Sequence, residues 1–345
     1  MAGVVLSAFP RAGGAEPSAW DRWCVAFLDR TGRVVDELQQ GASHSEGQGY
    51  GLLLAEAHGD LAAFERIEAW TRAHLLVRRD ALMGWRWVPG SGVGDWHVAS
   101  DGDLFRAWAL IRAARRFGRP EFLEDARRIA RDLAAICAVA DPRDPARLLL
   151  LPSDSPNPRA ARGRVTVNPS YLMPRALGEL SSATETPRLG QIASDGIRLI
   201  EELAARGPVP DWVEIGEDGF GPAPNRRPGS AYDALRIPLY LIWSGHGSSL
   251  PVQKAAVQLG SVAGQVIVAR DASGQEITTS DLPGYHAISA LTACAGGNTS
   301  SALPKFDPRQ PYYPATLHLL AALAATEAAT PCGSSHESEE ENPSR

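Results

Sequence analysis

The sequence has few of the features that mark metal-binding, membrane-spanning or nucleic-acid-binding proteins. Its 345 residues include only four cysteines and no C-x-x-C pair, which argues against a zinc site and a dense disulfide framework. No stretch reaches the roughly 18 apolar residues that a membrane-spanning helix requires. There is no long run of lysine or arginine, and the net charge is −6 with a pI near 5.8. Nucleic acid is therefore not an expected partner.

Apolar residues in helical spacing, by contrast, are abundant. Apolar residues of all kinds make up 44% of the chain, enough to bury a sizeable core. From Trp20 onward they recur at intervals of three and four residues, the spacing of one helix face, and strand-like alternation is scarce. The spacing predicts helices over residues 20–28, 50–58, 61–75, 104–117, 120–139, 170–181, 187–206, 231–243, 251–268 and 314–329.

Long loops rich in Pro, Gly, Asp and Trp separate several of these helices, and loops of such length are usually functional. They cover residues 84–99, 141–168, 207–230 and 295–313. No change in composition marks a boundary, so residues 20–330 are predicted to form one domain. Residues 1–19 are expected to be an N-terminal extension or the remnant of a leader, although no signal peptide is evident. The acidic stretch 331–345 is expected to be a disordered tail.

Three acidic stretches stand at the starts of predicted helices. Glu46 lies in SEGQG, which its glycines mark as a loop, Asp101 and Asp103 lie in ASDGD, and Asp233 lies in AYDALR. Each acid has an ordinary structural explanation: Glu46 can favour the start of a helix, Asp101 can cap one, and Asp233 can pair with Arg236. The glycines beside Glu46 favour another interpretation, in which a ligand approaches the backbone closely.

The aromatic residues of the loops indicate the kind of ligand. Flat aromatic rings stack on the apolar faces of sugars while acids and amides bind the hydroxyls, although about half of these rings are expected to be core residues. The D-x-D spacing in ASDGD also suits magnesium, but no phosphate-binding loop accompanies it. The aromatic residues concerned are Trp85, Trp87, Trp96, Tyr171, Trp212, Tyr232, Tyr285, Tyr312 and Tyr313.

Taken in order, these motifs resemble glycoside hydrolase family 8, and most of all the cellulases of bacterial cellulose-synthesis operons. The resemblance covers about residues 20–320 and includes SEGQGYGLLLA (45–55), WRW (85–87), NPSYLMP (168–174), PDWV (210–213) and YDALRIPLYLIW (232–243). The family signature A-[ST]-D-[AG]-D-x-x-[IM]-A-x-[SA] is met by residues 99–109 except at Arg106. Arg106 stands where Ile or Met is usual and is expected to face the helix surface.

The resemblance implies an all-α fold, an (α/α)6 barrel of about twelve helices whose long loops form a substrate groove. It implies that Glu46 is the general acid and that its glycine-rich setting leaves room for a glucan chain. Asp233 and Asp101 are both candidates for the general base. We assign the base to Asp233 and the binding of the distorted sugar to Asp101. The residues expected to bind substrate are Trp87, Asp103, Tyr171, Trp212, Tyr232 and Arg236.

The activity implied is that of an inverting endo-β-1,4-glucanase, a cellulase. It requires no metal or organic cofactor, because two carboxylates and a water suffice. The implied partners are a β-1,4-glucan polysaccharide and a cellulose-synthesis complex, and the expected location is periplasmic or secreted because such polymers lie outside the cytoplasm. Xylan, chitosan or mixed-linkage glucan are alternative substrates. A non-catalytic glucan-binding protein on the same barrel, or a helical scaffold, is an alternative of a different class.

Overall fold

The structure, a computed structural model, describes residues 16–155, 163–298, 301–330 and 332, and within them the chain forms eleven α-helices. The predicted extension up to residue 15 and the predicted tail, apart from Cys332, lie outside the described residues. The helices are α1 (Ala19–Phe27), α2 (Ser45–Ala57), α3 (Leu61–His74), α4 (Ser100–Arg116), α5 (Pro120–Ile136), α6 (Pro174–Thr184), α7 (Pro187–Arg206), α8 (Arg236–Trp243), α9 (Leu250–Gln258), α10 (Pro283–Ala295) and α11 (Tyr312–Glu327).

Short strands between the helices form small antiparallel sheets, which the spacing of apolar residues did not predict. The sheets are β1–β2–β3, β4–β5, β6–β7–β8 and β9–β10–β11. Most of these strands lie in the predicted long loops, where glycine and proline obscure any alternation. The strands are β1 (Ser43–His44), β2 (Arg86–Val88), β3 (Gly92–Asp95), β4 (Ala138–Asp141), β5 (Asp144–Leu150), β6 (Val165–Val167), β7 (Val213–Gly216), β8 (Gly219–Pro222), β9 (Ser261–Val262), β10 (Gln265–Arg270) and β11 (Glu276–Ser280).

The helical spacing correctly predicts α1, α3, α5, α7 and α11 to within a few residues. Helices α2 and α4 begin four or more residues earlier than predicted, because their glycine-containing first turns are helical. The predicted helix 251–268 ends at Gln258, and strands β9 and β10 follow it. Helix α10 is not predicted, since Pro283 and Gly284 at its start and small residues along it weaken the periodic signal.

Burial divides the helices into two layers. All eight residues of α8 are buried, and α2 and α4 are buried along most of their length. Helices α5 and α7 bury one apolar face each and expose charged residues on the other, as expected for an outer layer. The main hydrophobic cluster extends from Trp20 to Ala324. Among the described residues, none of the helices has both the length and the apolar character needed to cross a membrane.

An ion network joins the C-terminal parts of four buried helices. Glu327 of α11 accepts two hydrogen bonds from Arg112 of α4 and one from the Trp243 indole of α8. Arg112 also donates to Glu56 of α2 at 2.6 Å. Although burial opposes it, the hydrogen bonds from Arg112 and Trp243 lower the pKa of Glu327. Helices α2, α4, α8 and α11 therefore end together at one side of the domain core.

Arg106 does not face the surface as the sequence suggested. Its side chain is 2% exposed, and its guanidinium group donates to both carboxylate oxygens of Glu68 on α3, at 3.0 and 2.6 Å. An arginine can replace the usual apolar residue at this position because a buried carboxylate faces it. Such a pair is costly to break and adds little net stability as long as it is intact.

We expect Glu68→Ala to lower the free energy of unfolding by about 3–5 kcal/mol, because Arg106 would remain buried without its counter-charge. The double variant Glu68→Met/Arg106→Met should recover most of that loss, since an apolar pair of similar volume needs no counter-charge. Denaturant unfolding of the two variants beside the wild type measures both values. A double variant as unstable as the single one would show that the ion pair itself, and not its burial, stabilises the fold.

Candidate active site

Glu46 and Asp101 lie side by side because two buried helices begin at the same place. Glu46 is in the first turn of α2 and Asp101 is in the first turn of α4, where the helix macrodipoles favour carboxylates. A Cβ atom on Gly102 would lie 2.4 Å from Ser45 Oγ, and one on Gly49 would lie 2.9 Å from the Gly102 carbonyl oxygen. Only glycine permits so close a crossing of the two helices.

The glycines near Glu46 therefore serve protein packing, which corrects the expectation that they leave room for a glucan chain. The run SEGQG is the first turn of a helix and not a loop. A Cβ atom on Gly47 would lie 2.9 Å from the hydroxyl oxygen of Tyr312, and one on Gly51 would lie 2.9 Å from Val34. Protein surrounds α2 at these positions, so a ligand has to approach Glu46 elsewhere.

A buried arginine, Arg236, connects the three predicted catalytic carboxylates. It begins α8, and 1% of its side chain is exposed. Nη1 donates a hydrogen bond to Glu46 and lies 3.5 Å from Asp101 Oδ2, while Nη2 donates to Asp233 Oδ1 at 2.9 Å. The structure thus brings Glu46, Asp101 and Asp233 together around one guanidinium group, which balances part of their charge.

Asp101 is the most enclosed of the three acids. Its side chain is 2% exposed, against 22% for Glu46 and 33% for Asp233. Oδ1 accepts a hydrogen bond from the Gly102 N–H, but Oδ2 is buried without a hydrogen-bond partner. Burial and then the charge of Glu46 raise the pKa of Asp101 well above its ordinary value, although Arg236 opposes the shift. Asp101 is therefore suited to hold a proton and to bind a sugar hydroxyl.

Two donors from different parts of the chain hold the Asp233 side chain. Oδ1 accepts from Arg236, and Oδ2 accepts from the Asn168 side-chain amide at 2.9 Å. Asn168 Oδ1 accepts from the N–H and the hydroxyl of Ser170, and the Ser170 hydroxyl in turn accepts from Arg236 at 2.6 Å. Neither Asn168 nor Ser170 was predicted from the sequence to belong to the site, although both are part of the NPSYLMP motif.

Glu46 and Asp101 line a cavity of about 160 Å³ with aromatic walls. The hydroxyl oxygens of Ser45 and Tyr312, like Asp101 Oδ2, are buried beside this cavity, and none of the three has a hydrogen-bond partner among the described residues. Aromatic faces beside unpaired polar atoms suit a sugar ring, which is apolar on its faces and carries hydroxyls at its edge. The aromatic residues of the lining are Trp85, Tyr171, Tyr312 and Tyr313.

Trp87 lies apart from this cavity, and Trp85 lines it instead. The Trp87 ring packs 5.5 Å from the Trp70 ring and 5.9 Å from the His74 ring. Regular strand alternation would place Trp85 and Trp87 on the same face, but the pairing of β2 with β3 changes register between Arg86 and Trp87. The irregularity accounts for the different surroundings of the two indoles.

Asp103 also lies apart from the cavity lining. It is fully buried, its Oδ1 accepts a hydrogen bond from the Met83 N–H at 3.0 Å, and its Oδ2 has no partner. Burial raises the pKa of Asp103 to about 8, with the positive charge of Arg106 opposing the rise. In this structure Asp103 supports the loop that precedes β2 and does not face the sugar-sized space.

Tyr171, Trp212 and Tyr232 add to the aromatic surface of the site. The Tyr171 ring lines the cavity, and the Trp212 ring centre lies 6.1 Å from it. Tyr232 adjoins Asp233 and is 47% exposed, and its carbonyl oxygen accepts a hydrogen bond from the Tyr313 hydroxyl at 2.8 Å. These rings give the site an open aromatic side next to Asp233.

Paired carboxylates beside a sugar-sized aromatic cavity define a glycoside hydrolase of the acid–base class. The chain belongs to glycoside hydrolase family 8: the sequence model described as "Glycosyl hydrolases family 8" matches residues 1–327. The three carboxylates lie within this match, and two of them lie in the signature and SEGQG stretches discussed above.

Relatives and solved structures agree with this membership. The chain is 33% identical to a probable endoglucanase of Novacetimonas hansenii, over 89% of this chain and 90% of that protein. It is 31% identical to an endoglucanase of Cellulomonas uda, over 70% of this chain and 67% of that protein. The structure of an endo-β-1,4-glucanase from Acetobacter xylinum superposes with a TM-score of 0.80 at 32% identity, covering 90% of this chain and 98% of that one.

More distant structures share the fold alone. A β-1,3-1,4-glucanase from Paenibacillus is 17% identical with a TM-score of 0.72, and a reducing-end-xylose releasing exo-oligoxylanase is 18% identical with the same score. Since proteins with different named substrates have this fold, the fold does not identify the substrate of the chain.

Proposed function

We propose that this protein is an endo-β-1,4-glucanase that hydrolyses internal glucosidic bonds with inversion of configuration. The observation that carries the proposal is the convergence of Glu46, Asp101 and Asp233 on Arg236 beside the aromatic cavity. A protein that only binds glucan has no physical need for this set of carboxylates. The named activities of the relatives that are 31–33% identical support β-1,4-glucan as the substrate.

In the proposed mechanism, Glu46 protonates the glycosidic oxygen and Asp233 removes a proton from the attacking water. Inverting enzymes hold the two carboxyl groups about 6.5–9.5 Å apart so that a water fits beside the sugar. Glu46 and Asp233 accept hydrogen bonds from different nitrogens of one guanidinium group, so this group keeps the two carboxylates apart. Asp233 is the more exposed of the two, and its open side can hold the water.

Asp101 has a different role in this proposal. Its Oδ2 lies 3.5 Å from Arg236 Nη1, has no hydrogen-bond partner among the described residues, and can hold a hydroxyl of the sugar whose bond is cleaved. Hydrogen bonds to the distorted ring that strengthen in the transition state contribute several kcal/mol in glycosidases. The depth of Asp101 and its raised pKa favour this role over that of a base, which has to be ionised when water attacks.

We also propose that the helices close into an (α/α)6 barrel. Helix α2 packs against α4, α4 against α6, α6 against α8, α8 against α11, and α11 against α2. These are five of the six helices that the inner ring requires, and α10, which packs against both α8 and α11, is the candidate for the sixth. The network around Glu327 joins the same inner helices at the end opposite Glu46. In this ring the first turns of α2 and α4 carry Glu46 and Asp101, and α8 begins at Arg236, which bonds to Glu46 and Asp233.

We propose a periplasmic or secreted location and a role alongside a cellulose-synthesis complex. Polymeric glucan lies outside the cytoplasm, and Cys294 and Cys332 form a disulfide bond, which persists in oxidising compartments. One of the relatives is a probable endoglucanase from Novacetimonas hansenii, a cellulose-producing bacterium. This similarity supports the proposed link with cellulose synthesis. Fractionation of expressing cells tests the location, and a cytoplasmic protein with reduced Cys294 and Cys332 would contradict it.

The activity is tested by incubating the protein with carboxymethyl cellulose, xylan, chitosan and mixed-linkage glucan at equal mass. We expect cellulose viscosity to fall before reducing ends accumulate, as internal cleavage requires, and the first product to be the α-anomer. We expect kcat/KM on cellulose to exceed that on xylan and chitosan by about tenfold or more, because contacts to the missing or altered substituents are lost. Binding of all four polymers without cleavage would favour the non-catalytic alternative.

A further inference from the structure

The base assigned above lies on an irregular segment of chain. Asp233 belongs to the turn at residues 231–235, which precedes the first residue of α8 and follows the isolated bridge between Ser230 and Arg270. Neither a helix nor a strand fixes the backbone of this turn. Within the turn the Leu235 N–H donates to the Ala231 carbonyl oxygen at 3.2 Å, but the N–H groups of Ala231 and Ala234 need acceptors from outside the turn.

Asp211 is the acceptor for two N–H groups of this backbone. Its Oδ1 accepts hydrogen bonds from the Ala231 N–H at 2.8 Å and from the Ala234 N–H at 2.9 Å, on either side of Asp233. The Asp211 N–H donates to the carbonyl oxygen of Gly229 at 2.9 Å. One side chain thus holds the turn at two points within two residues of the base.

The same sheet positions both the backbone and the side chain of Asp233. Asp211 stands two residues before β7, and β7 pairs with β6 in a register that places Val167 opposite Val213. Asn168, the donor to Asp233 Oδ2, follows β6 directly. A movement of this sheet edge would therefore displace the base and its side-chain partner together.

We infer that Asp211 is the positioning residue of the general base, holding the turn that carries Asp233 at the distance that water activation requires. The inference rests on the proposed function, in which Asp233 is the base. A misplacement of about 1 Å in a catalytic group can reduce the rate by about 100-fold. Asp211 bonds only to protein backbone in this arrangement, so it acts through Asp233.

The surroundings of Asp211 add a pH dependence to this role. Burial raises the pKa of Asp211 to about 6, and the charge of Asp233 acts in the same direction. The two backbone donors and Arg236 oppose this rise. As the pH falls through this value Asp211 gains a proton, and a neutral carboxyl accepts hydrogen bonds less strongly than a carboxylate. Positioning by Asp211 is therefore strongest above about pH 6 and weakens below it.

The test compares Asp211→Ala and Asp211→Asn with the wild type and with Asp195→Ala. Asp195 is a matched control, since it is at least as enclosed as the partly buried Asp211 and its carboxylate accepts a backbone hydrogen bond, from Leu148 at 2.9 Å, but it lies outside the site. Three quantities are measured: kcat and KM on a soluble cellooligosaccharide, the pH profile of kcat, and hydrogen–deuterium exchange of the amides at residues 229–236.

For Asp211→Ala we expect a loss in kcat of about 100-fold with little change in KM, and exchange of the 229–236 amides faster by about tenfold or more. Asp211→Asn keeps an oxygen that can accept both hydrogen bonds, so it should recover most of kcat. In its pH profile of kcat, the decline near pH 6 that is due to Asp211 should disappear, because an amide does not titrate there. Asp195→Ala should leave all three quantities near the wild-type values, whatever its effect on stability.

Unchanged exchange in Asp211→Ala would overturn the inference, because the turn would not depend on Asp211. Faster exchange with wild-type kcat would also overturn it, since the position of the turn would not limit catalysis. A wild type that cleaves none of the glucans contradicts the proposed function instead, and that result is distinct because the exchange measurement needs no substrate.

Discussion

Glu46→Gln is expected to lower kcat on β-1,4-glucan by roughly 10²- to 10⁴-fold, because glutamine cannot protonate the departing sugar oxygen. Glutamine nearly preserves the size of the side chain and its oxygen can still accept a hydrogen bond from Arg236. The loss should therefore appear in kcat, with KM and the free energy of unfolding near their wild-type values. Reducing-end release under saturating substrate, together with denaturant unfolding, measures these quantities.

A substrate that needs no acid separates the role of Glu46 from that of Asp233. A cellooligosaccharide with a dinitrophenyl leaving group departs without protonation, so it should restore most of the activity of Glu46→Gln. Asp233→Asn should remain inactive on it, because the water still lacks a base. If the dinitrophenyl substrate restored the activity of Asp233→Asn and not that of Glu46→Gln, Asp233 would be the acid and Glu46 the base. If Asp233→Asn were active and Asp101→Asn inactive, Asp101 would be the base.

The three carboxylates could be predicted from sequence because each stands at the start of a strongly apolar helix in a recognisable motif. Their common partner could be predicted only in part. Arg236 is three residues from Asp233, so that contact follows from helical spacing. Its bond to Glu46 joins residues 190 positions apart, and no local pattern contains such information.

Other errors have the same physical origin. The glycines beside Glu46 suggested a loop because glycine is unfavourable in a helix, but the crossing of α2 and α4 outweighs that preference. The sequence could not show that Glu68 lies opposite Arg106, and without that carboxylate an exposed arginine was the reasonable expectation. Asp211 and Asn168 act through backbone and amide contacts that form only when β6 pairs with β7.

The second large effect is expected at Arg236, whose removal leaves three carboxylates without their shared cation. We expect Arg236→Met to lower the free energy of unfolding by about 3–5 kcal/mol at pH 7, the usual cost of leaving buried charge unpaired. We also expect kcat to fall by about 100-fold or more, because Arg236 holds both Glu46 and Asp233. Lysine should not restore either property, since it lacks the planar group that bonds two acids at once.

The stability loss in Arg236→Met should depend on pH in a defined direction. Arg236 opposes the upward shift in the pKa of Asp101, so its removal raises that pKa further. The folded variant then binds more protons than the unfolded chain above about pH 4, and its free energy of unfolding declines as the pH rises toward neutrality. The difference in the free energy of unfolding between Arg236→Met and the wild type should accordingly be smaller at about pH 5 than at pH 7.

Arg106→Met provides the matched control, because Arg106 is equally buried and ion-paired but lies away from the cavity. It should lose a similar amount of stability, about 3–5 kcal/mol, because Glu68 would keep only Arg72, whose Nη1 lies 3.9 Å from Glu68 Oε1. It should retain kcat under conditions where it is folded. Both arginines provide a counter-charge for buried carboxylates, but only Arg236 positions catalytic acids. Comparison of the two variants therefore separates the two effects. Equal retention of kcat in both would mean that Glu46 and Asp233 reach their working positions without the guanidinium group.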